Sequence, residues 1–131
     1  KKFLTLNVRL AIITAWRILM TAATYNLTID QGSDFALDLV VNESGAVKDL
    51  TGYSARAQMR NTKGASTVSA TFTCNIISAA AGTLKMQLIN SASSAISAGK
   101  YYYDLEIFTS GDVIVSRLMQ GTVILTPEVT R

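Results

Sequence analysis

The chain has 131 residues, of which 49% are hydrophobic and 16% are charged, and it contains one Cys, one Pro and no His. This length suits one domain with a substantial hydrophobic core. A single Cys excludes a disulfide within the chain. The absence of His excludes Ser-His-Asp triads, Cys-His pairs and the common zinc sites.

The formal charge of +3 is concentrated at one end of the sequence. Residues 1–19 contain Lys1, Lys2, Arg9 and Arg17 and no acidic residue. From residue 20 onward nine acidic residues stand against eight basic ones, so this part of the chain is close to neutral. Binding of duplex nucleic acid requires a basic footprint spread over a folded face. We therefore expect no nucleic-acid partner.

Residues 1–19 are predicted to be an N-terminal extension or arm, followed by one domain over residues 20–131. Three interpretations of the segment remain open: a genuine arm, an extension foreign to the natural protein, or a weak targeting segment. Its apolar stretch is shorter than the roughly 20 residues that span a bilayer, so we expect no membrane partner. An arm is favoured because the large apolar side chains need a partner surface. The alternative that the segment adds a strand or a helix to its own domain stays open.

The secondary structure of this segment stays ambiguous between strand and helix. Residues 4–10 alternate between apolar and polar, as in a strand, whereas the apolar residues from position 6 to position 20 also fit one helical face. Either form would present the same candidate partner contacts. These are Phe3, Leu6, Leu10 and Trp16.

From residue 24 onward, short apolar–polar alternations are separated by turn residues, a pattern typical of strands. Residues 90–99 are small and polar and predict a connector with a single helical turn. Residues 109–112, Thr-Ser-Gly-Asp, predict a hairpin turn, and Gly121 predicts a bulge or bend. The alternating stretches are residues 25–29, 35–41, 53–59, 68–76, 84–88, 101–107 and 113–125.

Seven to eight short strands at regular spacing indicate an all-β domain. We expect an immunoglobulin-like β-sandwich of seven to eight short antiparallel strands with an N-terminal extension. A small barrel is the second possibility.

The carboxylate pairs Asp104/Glu106 and Asp34/Asp38 are the first candidates for chemistry, since paired carboxylates can cleave glycosidic bonds. On the exposed face of a strand, however, paired carboxylates are more often solvated charges without a catalytic role. The Asp30–Asp34 stretch lacks the ligand spacing of a calcium loop, and no nucleotide-binding glycine pattern occurs. We expect no enzyme activity, no catalytic residue, no cofactor and no metal.

Tyr102 and Phe108 are candidate partner contacts, because alternation places them on the outward face of their strand. They would form a platform for a partner or a sugar. Alternation alone also explains the aromatic cluster, with Tyr101 and Tyr103 in the core, and this simpler interpretation is favoured. Cys74 is predicted to be a buried small hydrophobe. Arg56 shares an outward strip with Gln58 and Arg60, for which contact with a partner is one interpretation and contact with solvent alone is the favoured one.

Five stretches together carry a resemblance to small structural proteins of tailed bacteriophages. They are residues 50–60 (LTGYSARAQMR), 82–84 (GTL), 99–106 (GKYYYDLE), 117–123 (RLMQGTV) and 127–131 (PEVTR). In order and spacing they resemble the immunoglobulin-like modules of those proteins, including the N-terminal domain of baseplate upper proteins. The resemblance covers residues 24–131 and omits residues 1–19. It implies a virion component and supplies no catalytic residues.

We therefore expect a bacteriophage virion protein that acts by assembly in the tail, baseplate or fibre-attachment region. Its expected partners are other virion proteins, and its expected state is a homo-oligomer within a symmetric assembly. One alternative is a capsid decoration protein. A further alternative is a carbohydrate-binding module that uses Tyr102 and Phe108.

Overall fold

A computed structural model describes residues 22–43 and 46–130 of the chain. Four of the predicted partner contacts lie outside the described residues, as does the predicted boundary between residues 19 and 20. The four are Phe3, Leu6, Leu10 and Trp16.

The described residues form ten strands, one five-residue helix and one 3-10 turn. Among them, no helix is long and apolar enough to cross a membrane. The elements are β1 (Ala23–Thr24), β2 (Leu27–Asp30), β3 (Phe35–Val40), β4 (Asn42–Glu43), β5 (Ala46–Val47), β6 (Tyr53–Arg60), β7 (Ala70–Ser78), β8 (Thr83–Leu88), α1 (Asn90–Ser94), β9 (Gly99–Thr109), the 3-10 turn (Ser110–Asp112) and β10 (Val115–Thr126).

Eight strands form one curled sheet, in the order β1-β10-β9-β6-β7-β8-β3, with β2 also paired to β10. The sheet has two halves, and strand β7 belongs to both of them. Its residues up to Phe72 pair with β6 in one half, and those from Thr73 onward pair with β8 in the other. The curl places the apolar sides of the two halves against one core. The predicted all-β sandwich is confirmed, and the predicted connector contains helix α1.

The pairing of the first strands differs from the antiparallel pattern that we expected. Both β1 and β2 run parallel to β10, end to end along the same side of it. Seven strands in the described part of the chain have four or more residues, in agreement with the expected number. The parallel pairing could not be foreseen because a four-residue strand specifies its exposed face but not its partner.

Gly121 does not mark the predicted bulge, since the irregularity of β10 lies between Arg117 and Met119. The glycine instead permits a close approach of the chain between β1 and β2. A Cβ at this position would contact the carbonyl oxygen of Tyr25 and lie 2.8 Å from Oδ1 of Asn26. That Asn26 oxygen accepts a hydrogen bond from the backbone N–H of Thr122 at 3.0 Å. The Asn26 side chain thus takes the place of a backbone carbonyl as the acceptor for this N–H of β10.

The core is one apolar cluster between the two halves of the sheet. Phe72 bridges the halves, because its ring contacts Phe35 and Tyr103 edge-on with centroid distances of 6.1 and 6.3 Å. Tyr101 and Tyr103 are buried as predicted, and each hydroxyl donates to a backbone carbonyl. The largest fully buried side chains are Ile29, Leu37, Leu39, Leu50, Met59, Leu84, Met86, Leu105, Ile107, Met119 and Leu125.

Candidate functional site

The outward side chains of β6, β9 and β10 form a continuous surface, which we call the outer face. Strand register arranges them in rows, with β9 in the middle. The first three rows line a groove of about 750 Å³. In order along β9, the rows are Arg60, Tyr102 and Thr122; Gln58, Asp104 and Gln120; Arg56, Glu106 and Arg117; and Ser54, Phe108 and Val115.

Ion pairs occupy the middle of the outer face and form what we call the ion-pair network. Nε of Arg56 donates to Oε1 of Glu106 at 2.7 Å, and its Nη1 lies 3.4 Å from Oδ1 of Asp112. Nε of Arg117 lies 3.4 Å from Oδ2 of Asp104. The carboxylates of the predicted pair Asp104/Glu106 are therefore each engaged by an arginine.

Burial raises the pKa of the Asp104 carboxyl above its usual value, and the charge of Arg117 opposes this shift. The pKa of Arg56 is raised, chiefly by its hydrogen bond to Glu106. The network holds its charges in compensated pairs, and among the described residues no three acidic or Cys side chains are placed to hold a metal ion.

Arg60, Lys63 and Lys100 lie around Tyr102, in the first row of the outer face. We call these four residues the cationic cluster. Nζ of Lys63 lies 5.7 Å from the centroid of the Tyr102 ring, and Nζ of Lys100 lies 5.5 Å from it. Arg60 is the cross-strand neighbour of Tyr102 and donates from Nη1 to the carbonyl of Ala65 at 3.0 Å. Three cations thus surround one half-buried aromatic ring.

Phe108 lies in the fourth row, and the guanidinium carbon of Arg56 sits 4.2 Å from its ring centroid. Phe108 follows Tyr102 by six positions along β9, which corresponds to about 20 Å. The two predicted contacts therefore share one face without forming one platform. Their roles as partner contacts remain predictions.

The hairpin tip, residues 110–115, is an apolar surface that the sequence analysis missed. Val113 is 81% exposed, Ile114 49% and Val115 43%. Gly111 and Asp112 turn the chain with positive φ angles of 71° and 56°, as the turn prediction requires. Three consecutive apolar residues after the turn depart from alternation, and that departure was the available signal.

The other predicted site residues have structural surroundings. Oδ1 of Asp34 accepts from the backbone N–H of Asn90 at 2.7 Å, at the start of α1. Asp38 pairs with Lys85 across the β3–β8 ladder at 3.6 Å. Cys74 is half-buried rather than buried, and burial raises the pKa of its thiol to about 12. A thiol of that pKa is poorly nucleophilic at neutral pH.

Comparison with solved structures shows that this fold occurs in a phage protein. The N-terminal domain of phage TP901-1 ORF48 matches with a TM-score of 0.53 and 13% sequence identity, covering 79% of this chain and 94% of that chain. At this identity the likeness shows a shared fold.

Two further solved structures are less similar. The cysteine protease inhibitor EhICP2 from Entamoeba histolytica has a TM-score of 0.39 and 15% identity, covering 76% of this chain and 84% of its own. A family 123 glycoside hydrolase from Clostridium perfringens has a TM-score of 0.41 and 11% identity, covering 92% of this chain and 26% of its own. No family model and no curated protein matches the chain.

Proposed function

We propose that the chain is a structural protein of a bacteriophage virion and acts by assembly in the tail, baseplate or fibre-attachment region. The observation that carries the proposal is the shared fold with the N-terminal domain of a phage protein, 94% of which is covered. The five stretches that resemble structural proteins of tailed phages led to the same expectation from the sequence.

The hairpin tip supplies a contact surface for a neighbouring virion subunit. Its apolar side chains are exposed to different extents, and burial of such partly exposed side chains at an interface contributes on the order of 1 kcal/mol each. In a symmetric assembly each copy repeats the contact, so modest surfaces are sufficient.

The acid-free segment of residues 1–19 provides a second contact, through Phe3, Leu6, Leu10 and Trp16. These large apolar residues precede a domain with its own core. In the proposed role they pack on a neighbouring subunit rather than on the domain that carries them.

The location is tested by quantitative mass spectrometry of purified particles from the strain that encodes the chain. We expect the chain in intact particles, at a copy number comparable to that of tail components. A copy number on the order of hundreds, as in an icosahedral shell, would indicate capsid decoration instead. Absence from purified particles would contradict a virion role.

The arm is tested by deletion of residues 1–19 in the phage. We expect the shortened chain to accumulate in the lysate but to be lost from particles. Circular dichroism of the purified shortened chain shows whether its strand content is retained. Unchanged incorporation and unchanged oligomerisation would contradict the proposed contact.

A further inference from the structure

We propose that the cationic cluster of Arg60, Lys63, Lys100 and Tyr102 binds an acidic saccharide, an oligosaccharide that carries carboxylate groups. This binding is independent of the virion role and uses the opposite end of β9 from the hairpin tip. It assigns a ligand to the groove on the outer face.

Charge complementarity is the first argument. Among the described residues, neither Arg60 nor either lysine has a carboxylate oxygen within 4.0 Å, whereas Arg56 and Arg117 are paired within the ion-pair network. The ammonium groups of Lys63 and Lys100 both approach the same ring. A carboxylate placed beside Tyr102 would relieve the mutual repulsion of these cations.

The neighbouring rows supply groups that suit sugar hydroxyls. Gln58 and Gln120 flank Asp104 one row from Tyr102, and both line the groove with the hydroxyl of Thr122. The amide oxygen of Gln58 already accepts from Nη2 of Arg60 at 3.1 Å, and that of Gln120 accepts from Nη1 of Arg117 at 3.1 Å. The arginines thereby orient the two NH2 groups, which are left to donate to sugar hydroxyls. The half-buried ring of Tyr102 adds an apolar surface with a polar tip.

The position in the sheet favours a saccharide over an acidic peptide. Strand β9 is paired along both sides, with β6 and with β10, so its backbone groups are already used. An extended peptide therefore cannot add a strand here, which is the usual source of affinity for such a ligand. A saccharide needs only the side chains that the groove presents.

The ligand class is tested by calorimetric titration of the full chain with a galacturonic acid tetramer. Its methyl ester has the same backbone without charge, and a tetraglutamate peptide has the same charge without sugar rings. We expect the acid to bind at least about tenfold more tightly than either, and more weakly as salt screens the cations. Equal binding of the ester, tighter binding of the peptide, or no binding of the acid would overturn the proposal.

The site is tested with Lys63→Gln/Lys100→Gln, which we expect to weaken acid binding about fivefold to tenfold. The matched control Lys48→Gln/Lys85→Gln removes two charges away from the cluster and should stay within about twofold of the wild type. Thermal unfolding checks that all variants are folded. Equal losses in both double variants would assign the binding to net charge and overturn the site.

The role of the aromatic ring is tested by two substitutions. Tyr102→Ala should weaken binding several-fold, whereas Tyr102→Phe keeps the ring and should retain most of it. Unchanged affinity of Tyr102→Ala would remove the ring from the site and overturn the proposal as stated.

Discussion

Asp104 lies at the centre of the outer face, where two opposing effects act on one carboxylate. Burial disfavours its charged form, whereas Arg117 at 3.4 Å favours it. The net effect raises its pKa in the folded chain, so burial is the stronger of the two. The charge at Asp104 therefore lowers the stability of the fold at neutral pH. This loss shrinks once the pH falls below the raised pKa of the folded state, because the folded carboxyl then takes up a proton. It vanishes below the pKa of the unfolded state, where both states are protonated.

We expect Asp104→Asn to raise the melting temperature at pH 7 slightly, because the amide keeps the shape of the side chain without the partly desolvated charge. The gain should shrink in acid and vanish below the ordinary aspartate pKa of about 3.9. Thermal unfolding followed by circular dichroism from pH 3 to pH 8 measures this. Asp38→Asn, at an exposed pair on the other half of the sheet, is the control. Destabilisation of Asp104→Asn at pH 7 would mean that the pairing with Arg117 outweighs burial.

Gly121 is required by backbone contacts rather than by its own φ angle. A Cβ at this position would meet the carbonyl of Tyr25, whose carbon lies 2.9 Å away, and backbone atoms cannot rotate aside. We expect Gly121→Ala to destabilise the domain by about 1–3 kcal/mol, as overpacking does. Urea unfolding measures the change. The control is Gly64→Ala, where nothing lies within 4 Å of the added methyl group, and similar losses in both variants would contradict the steric argument.

At the scale of the element, helix α1 is held to the turn between β2 and β3 by one fully buried hydroxyl. Oγ of Ser93 accepts from the backbone N–H of Gly32 at 3.0 Å and lies 2.9 Å from the carbonyl oxygen of Ser33, to which it donates. Gln31 supports the same junction by donating from Nε2 to the carbonyl of Ile96 at 2.7 Å. The five-residue helix is thus fixed by tertiary contacts, since so short a helix has little intrinsic stability.

We expect Ser93→Ala to destabilise the domain by about 0.5–1.5 kcal/mol, because the half-buried N–H of Gly32 and the carbonyl of the exposed Ser33 lose a hydrogen-bond partner. The control is Ser94→Ala, since the Ser94 hydroxyl is exposed and donates to the carbonyl of Ser91 within the same short helix. Chemical denaturation of both variants measures the difference. A loss no larger than that of the control would show that water replaces the Ser93 hydroxyl.

Alternation predicted the longer strands because each has one buried and one wetted face. In β9, the pattern placed Tyr101 and Tyr103 in the core and Tyr102 outward, as the structure shows. It did not predict that β1 and β2 pair parallel with β10, since that choice depends on contacts such as that of Asn26 with Thr122. Such contacts join residues nearly one hundred positions apart and leave no local pattern.

The candidate site was predictable only in part for the same reason. Tyr102 follows from alternation along one strand. Lys63 lies in the turn after β6, and its approach to Tyr102 depends on the register that places Arg60 opposite that tyrosine. Lys100 precedes the aromatic cluster in sequence, but its position over the ring is set by the fold. Side chains from different elements became one site only through the pairing of β6 with β9.

At the scale of the whole molecule, the two proposed surfaces lie at opposite ends of β9. Tyr102 belongs to the cationic cluster, whereas Phe108 pairs with Val115 beside the hairpin tip. Between them the ion-pair network compensates its own charges. An assembled subunit could therefore contact a neighbour through the tip and still leave the groove open, since about 20 Å separates Tyr102 from Phe108.

The hairpin tip provides the most direct test of the assembly role. We expect Val113→Ser/Ile114→Ser to reduce incorporation into particles about tenfold, because removal of two exposed apolar side chains forfeits about 1.5 kcal/mol or more in total at a buried contact. The stability of the isolated chain should change by less than about 1 kcal/mol, since Val113 is largely solvated there and Ile114 is about half exposed. Quantitative mass spectrometry of particles and urea unfolding of the purified variant measure the two effects. Ile77→Ser, 61% exposed on β7, is the control for loss of apolar surface elsewhere. Equal incorporation of the tip variant and the wild type would show that the tip faces solvent in the particle.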